Sequence, residues 1–188
     1  STTSVWNSET KMDKIGKTHP APFSYIDVQK LIELFTKKEM TVLDPFVGVG
    51  STLIACSKSN RNGIGIDINN ENISLSKERF KLLGINPKKQ TLICGDSFDK
   101  IDQIDEIDYC VTSPPYHNIL RNKGQGIRHD KSQTRQGVKY YSELKKDLGD
   151  MTFDKLVFVL KNLDSELKFN HFCSFLERKK IIFDKQIW

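Results

Sequence analysis

Four polar residues stand where four apolar runs end. Thr41-Val42-Leu43 runs into Asp44 and Pro45, and Gly63-Ile64-Gly65-Ile66 into Asp67. Thr91-Leu92-Ile93-Cys94 leads to Gly95-Asp96, and Ile107 to Val111 leads to Thr112-Ser113-Pro114-Pro115-Tyr116. Short unbroken apolar runs read as buried parallel strands. In an open α/β sheet, ligands bind at the edge made by the strands' carboxyl ends. Between the first two runs lies Phe46-Val47-Gly48-Val49-Gly50-Ser51-Thr52. Gly48 and Gly50 let the backbone turn sharply and approach a ligand closely. Ser51 and Thr52 are candidate caps for a helix running through Leu53, Ile54, Ala55 and Cys56. The amides at such a helix start commonly receive nucleotide-like ligands. Asp67 follows the turn by about 20 residues, the spacing at which an acid meets ribose hydroxyls.

Other uses of the turn fare worse. No Gly-Lys-Ser/Thr follows, so it is not a phosphate-gripping P-loop. The third glycine of a dinucleotide fingerprint would fall at Leu53. A bare Gly-x-Gly can also be a plain tight turn. Asp67 at the end of the next strand is what favours a ligand.

DPFVGVGST, GIDIN, CGDS and TSPPY in this order resemble the amino-group DNA methyltransferases that use S-adenosylmethionine. The segment from Lys17 to Ser24, KTHPAPFS, resembles the part that covers the cofactor's methionine end in that family. The resemblance runs from about Val5 to Asp150. It implies a Rossmann-like α/β fold, a mostly parallel sheet with helices on both faces, as one catalytic domain over 1–188. It implies cofactor contacts from Lys17, His19, Pro20, Ala21 and Phe23, and from Asp44, Pro45, Phe46, Gly48, Gly50, Ser51 and Thr52. Asp67 would hold the ribose and Asp96, followed by Ser97, the adenine amine, with Phe98 or Ile68 flanking the ring. His19 is read as a loop histidine held by backbone partners rather than as a catalytic group.

The same resemblance makes Ser113, Pro114, Pro115 and Tyr116 the catalytic set. The prolines stiffen the backbone and offer no N–H. Carbonyl oxygens and the Ser113 hydroxyl then accept from the target amine, and Tyr116 stacks on a base flipped out of duplex DNA. No enzyme nucleophile is required, and no Pro-Cys of a ring-carbon methylase is present. Serine before the prolines leans toward N4 of cytosine over N6 of adenine in that family, with a restriction-modification setting.

The elements that must carry these residues follow from pattern. Ser24 caps a predicted helix from Tyr25 to Thr36, and a second spans Asn70 to Leu83 and ends at Gly84. A third is expected from Met151 to Leu167, and Ile181-Ile182-Phe183 as a fifth strand. Residues 1–16 read as loosely held, and 99–108 as an acidic surface segment. Arg121, Lys123, Arg128, Lys131 and Arg135, with glycines interspersed, make 117–140 a mobile basic loop suited to DNA phosphates. The net charge of +5 is too mild to argue for nucleic acid alone.

With 188 residues, 37% hydrophobic, the chain is long enough for a core. No apolar run reaches membrane-spanning length. Cys56, Cys94, Cys110 and Cys173 form no CxxC pair, so no metal site is expected. They read as reduced core residues of a cytoplasmic protein. Two departures from the family stand out. No separate target-recognition domain is evident, and the strand expected after the last helix is not visible. A homodimer, a second subunit that supplies recognition, a cofactor-binding chain without activity, and an RNA base methyltransferase are the alternatives this leaves.

Overall fold

The computed structural model describes residues 13–16, 24–101, 103–104 and 107–113, and the backbone of 173–177 and 180–183. Its helices are α1 (Tyr25–Phe35), α2 (Ser51–Lys58), α3 (Asn70–Leu83) and α4 (Ser97–Ile101). Its strands are β1 (Thr41–Asp44), β2 (Asn62–Asp67), β3 (Gln90–Cys94), β4 (Tyr109–Thr112), β5 (Cys173–Glu177) and β6 (Lys180–Phe183). They form one sheet in the order β3-β2-β1-β4-β5-β6. The first five strands pair in parallel, and β6 returns antiparallel to β5. The order reverses direction between β1 and β4, as in doubly wound Rossmann-like sheets.

Strand alternation divides the core between two faces. Val42, Tyr109 and Val111 meet Val28, Leu31 and Ile32 of α1 and Ala55 and Cys56 of α2. Leu43 and Ile66 point the other way and pack with Ile101 of α4. The glycines of β2 belong to the α2 face. A Cβ at Gly65 would sit 2.6 Å from Val47 Cγ2 and 2.9 Å from Leu53 Cδ1. Only glycine therefore lets α2 and the turn before it lie this close to the sheet. Ile73 and Phe80 of α3 extend the same layer over Val47, Leu53 and Ile54.

Buried Arg61 joins two helix ends. Its Nη2 donates to the Thr36 carbonyl at 2.6 Å, its Nε to the Thr36 hydroxyl at 3.0 Å, and its Nη1 to the Ser59 carbonyl. A cation there complements the carbonyls exposed at the ends of α1 and α2. Among the described residues, no helix is long and apolar enough to cross a membrane.

Three expectations change. β5 is a strand, although the aromatic tail hid its alternation, and it takes the place beside β4. Ile181-Ile182-Phe183 is thus in the sixth strand. Cys94 is exposed, because it closes β3 at the outer edge of the sheet, whereas Cys56 and Cys110 are buried. The stretch 99–108 is also not purely surface. Ile101 is buried, and the Asp108 carboxylate accepts the Thr41 amide at 2.7 Å. The helix expected over Met151–Leu167 lies outside the described residues.

Candidate functional site

β1 carries Asp44 into the interior, where it is fully buried. Its Oδ1 accepts the Phe46 amide at 3.1 Å and the Thr112 hydroxyl at 2.7 Å. Its Oδ2 accepts the Thr52 hydroxyl at 2.5 Å. One carboxylate thereby ties the end of β1 to the glycine turn, to α2 and to the end of β4. Burial pushes its carboxyl up to about 6, against the pull of these hydrogen bonds. The sequence puts Asp44 among the ligand contacts. In this structure it has no exposed surface, and both its oxygens accept from donors of the fold itself.

The glycine turn is built from backbone. Gly48 and Gly50 adopt φ of 53° and 82°, a region that side chains disfavour. Gly50 is the N-cap of α2 and makes no side-chain capping bond. Ser51 and Thr52, expected as caps, lie inside the first turn. The Thr52 hydroxyl is committed to Asp44, and the Ser51 hydroxyl accepts from Arg79 at 3.0 Å. The turn is stitched to the tip of β2. The Val47 amide donates to the Ile66 carbonyl at 2.9 Å, and the Gly48 amide to Asp67 Oδ2 at 2.8 Å.

Asp67 gathers the neighbouring elements. Its Oδ1 accepts the Asn69 amide at 2.8 Å and Asn72 Nδ2 at 3.1 Å. Burial pushes its carboxyl up to about 6, partly offset by these donors, and the nearby Asp44 charge adds to the rise. Its carbonyl accepts the Gly95 amide at 3.0 Å, which brings the β3 tip alongside. There Asp96 Oδ1 accepts the Phe98 amide at 3.0 Å, and the Ser97 hydroxyl donates to the Pro45 carbonyl. Phe46 and Phe98 are partly buried against Leu43, Ile66 and Ile101. Ile68 is also partly buried.

Ser113 is partly buried and follows Thr112, whose hydroxyl is bound to Asp44. The tips of β1, β2, β3 and β4 therefore share one edge of the sheet. Hydrogen bonds join the glycine turn to Asp67, and Gly95 and Ser97 on either side of Asp96 to β2 and to Pro45, while Ser113 follows β4 on the same edge. Lys17, His19, Pro20, Ala21, Phe23, Pro114, Pro115 and Tyr116 lie outside the described residues. So do the basic residues Arg121, Lys123, Arg128, Lys131 and Arg135.

Sequence reasoning missed the polar stripe of α3. Asn72, Ser76 and Arg79 recur at helical spacing beside apolar Ile73 and Phe80. Asn72 reaches Asp67, the Ser76 hydroxyl donates to the Gly48 carbonyl at 3.1 Å, and Arg79 Nη1 donates to the Val49 carbonyl at 2.9 Å. The signal was present as three polar residues on the face that the apolar positions mark as inward. Arg79 also binds Asp13, so residues 13–16 are tied down where the sequence suggested a loose end.

Residues 1–78 match the model of a DNA methylase family of N6/N4 type. The match includes the glycine turn and Asp67 and ends before Asp96 and Ser113. Two similar proteins are the type II methyltransferases M.HpaI of Haemophilus parainfluenzae and M.BglI of Bacillus subtilis. The first is 42% identical over 68 residues, covering 36% of this chain and 22% of that protein. The second is 39% identical over 72 residues, covering 38% of this chain and 21% of that protein. The chain thus spans about a fifth of the length of these relatives. A solved RNA methyltransferase from Salinibacter ruber, in complex with S-adenosyl-L-homocysteine, aligns with a TM-score of 0.44 at 22% identity. That alignment covers 50% of this chain and 60% of that one. Over its first 78 residues, the chain is similar to this DNA methylase family.

Proposed function

We propose that this chain binds S-adenosylmethionine along the carboxyl rim of β1 to β3 and transfers its methyl group to an exocyclic amine of DNA. N4 of cytosine is the proposed acceptor, with N6 of adenine as the competing one. The observation that carries this reading is Asp67. It is a partly buried carboxylate at a strand tip, bonded to the Gly48 amide of a glycine turn. Such a pairing suits a ribose diol. A carboxylate offers about four acceptor positions, and the Gly48, Asn69 and Asn72 donors occupy three. Asp67 would thus have one position left for a ribose hydroxyl, and Asn72, whose bond is the longest of the three, is the donor that would yield to a second. Asp96 and the partly buried Phe46 and Phe98 supply an acceptor and flat apolar surface for the adenine.

When bound, the cofactor supplies a methyl group already activated on sulfonium sulfur. The chain's own part is then to position the acceptor and to stabilise charge. Ser113 and the carbonyls of the Pro114-Pro115 turn accept from the target amine. Its lone pair is then directed at the methyl carbon. The amine would gain positive charge as it takes the methyl group from sulfur, and those oxygens would offset that charge until its proton leaves to solvent. Tyr116 stacks on the extruded base, and Arg121, Lys123, Arg128, Lys131 and Arg135 track the phosphates. A second copy or a second subunit would supply target recognition.

The test is transfer of labelled methyl to duplex DNA, with RNA as comparison, followed by mass spectrometry of the nucleosides. N4-methylcytosine in DNA is expected. Ser113→Ala should lower transfer about 10- to 100-fold through loss of an acceptor to a charged group. Its affinity for S-adenosylhomocysteine should not change. N6-methyladenine alone would overturn the choice of base. Cofactor binding without transfer to either nucleic acid would make the chain a non-catalytic subunit.

A further inference from the structure

Arg79 is fully buried. Its Nη1 donates to the Val49 carbonyl at 2.9 Å and to the Ser51 hydroxyl at 3.0 Å. Its Nε and Nη2 grip Asp13, at 2.8 Å and 2.7 Å from Oδ2. One turn earlier on α3, Ser76 holds the Gly48 carbonyl. Two successive carbonyls of the glycine turn are therefore fixed from beneath by one helix face. Each peptide is planar, so fixing the Gly48 and Val49 carbonyls also fixes the directions of the Val49 and Gly50 amides.

Asp13 completes the arrangement. Its Oδ1 accepts the Gly16 amide at 2.8 Å, closing a tight turn around the guanidinium. Gly16 fits there because a Cβ would lie 2.7 Å from Arg79 Nη2. Burial pushes the Asp13 carboxyl up, but Arg79 and the Gly16 amide outweigh it and hold it below the ordinary value. Buried ion pairs are weak sources of net stability, and apolar replacements often fold as well. An apolar side chain could not hold two acceptors of the glycine turn.

We infer that Arg79, neutralised by Asp13, is a positioning residue that sets the ligand-binding shape of the glycine turn and couples it to residues 13–16. The inference rests on the proposal that this turn receives the cofactor. Its consequence is that cofactor affinity depends on a residue more than 30 positions upstream of the turn, Asp13.

The test uses the full chain and three variants, Asp13→Asn, Arg79→Met and Arg79→Lys. Glu39→Gln is the control, since Glu39 pairs with Lys89 at an exposed site that includes none of the residues holding the turn. Calorimetric titration with S-adenosylhomocysteine is read beside hydrogen exchange of individual amides. Asp13→Asn and Arg79→Met should each weaken binding about tenfold. They should also speed exchange of the amides of 48–52 by a similar factor, with those of β2 and α1 unchanged. Arg79→Lys should recover part of both effects, and the control should match the wild type. Should Arg79→Met fail to fold, Asp13→Asn, which keeps the guanidinium, decides alone. Turn amides that exchange as in the wild type, or all amides accelerating together, would overturn the inference. A wild type that does not bind S-adenosylhomocysteine would instead sink the cofactor reading, and the exchange data would still decide the coupling.

Discussion

Replacing Asp44 with asparagine isolates the cost of one buried charge. Burial raises the Asp44 carboxyl from 3.8 to about 6. A rise of about two units corresponds to about 3 kcal/mol. The folded chain binds this proton more tightly than the unfolded chain, so protonation stabilises the fold. That stabilisation is fully present below about pH 3.8, declines as the pH rises, and is lost above about pH 6. Asparagine has the same shape and no charge. Its carbonyl oxygen still accepts the Phe46 amide, and its NH2 reaches a threonine hydroxyl that rotates to accept. Hydrogen bonds weakened by losing the charge give an offset that does not vary with pH. Asp44 also raises the Asp67 carboxyl, so its removal relaxes that cost in the same direction. Urea unfolding at several pH values measures the difference. The variant should gain up to about 3 kcal/mol on the wild type between about pH 4 and pH 7. A difference that is flat with pH, or that shrinks as pH rises, would refute the account of Asp44 as an ionised internal bolt.

Three further outcomes are expected. Asp67 also titrates near 6 in the free chain, and ribose hydroxyls would favour its ionised form. Affinity for S-adenosylhomocysteine should therefore be level above about pH 6 and fall up to tenfold per unit below it, as calorimetry across that range would show. Asp67→Asn should abolish that dependence and weaken binding about 10- to 100-fold. Gly65→Ala drives a Cβ against Val47 Cγ2 and Leu53 Cδ1. It should cost about 1–3 kcal/mol in urea unfolding, since branched Val47 has little rotamer freedom to move aside.

Much of this arrangement was legible because strand tips announce themselves. The apolar runs before Asp44, Asp67, Asp96 and Ser113 placed four parallel strands, and the glycines between the first two placed the turn. β5 was not legible. Cys-Ser-Phe-Leu-Glu alternates over too few residues to stand out from the aromatics around it. The internal partners of Asp44 were not legible for a different reason. A carboxylate at a strand end can face the rim or the interior, and only the hydroxyls of Thr52 and Thr112 decide which. Those partners lie 8 and 68 positions away. Arg79 was likewise invisible as more than a charge on a helix, because its partners span residues 13 to 51 and no local pattern joins them.

The interior hydroxyl pair has a consequence for the site as a whole. On the proposed reading, cofactor and acceptor belong to different strands, with the glycine turn leaving β1 and the Ser-Pro-Pro-Tyr segment following β4. A methyl transfer needs their separation held to a fraction of an ångström. Direct strand pairing between β1 and β4 covers Val42 with Tyr109 and Leu43 with Cys110, and stops short of both tips. Beyond that point, Asp44 takes over. Thr52, just after the glycine turn, and Thr112, at the end of β4, meet on its two oxygens. The buried charge is tolerated there because no neutral side chain of that size accepts from both hydroxyls and from the Phe46 amide at once.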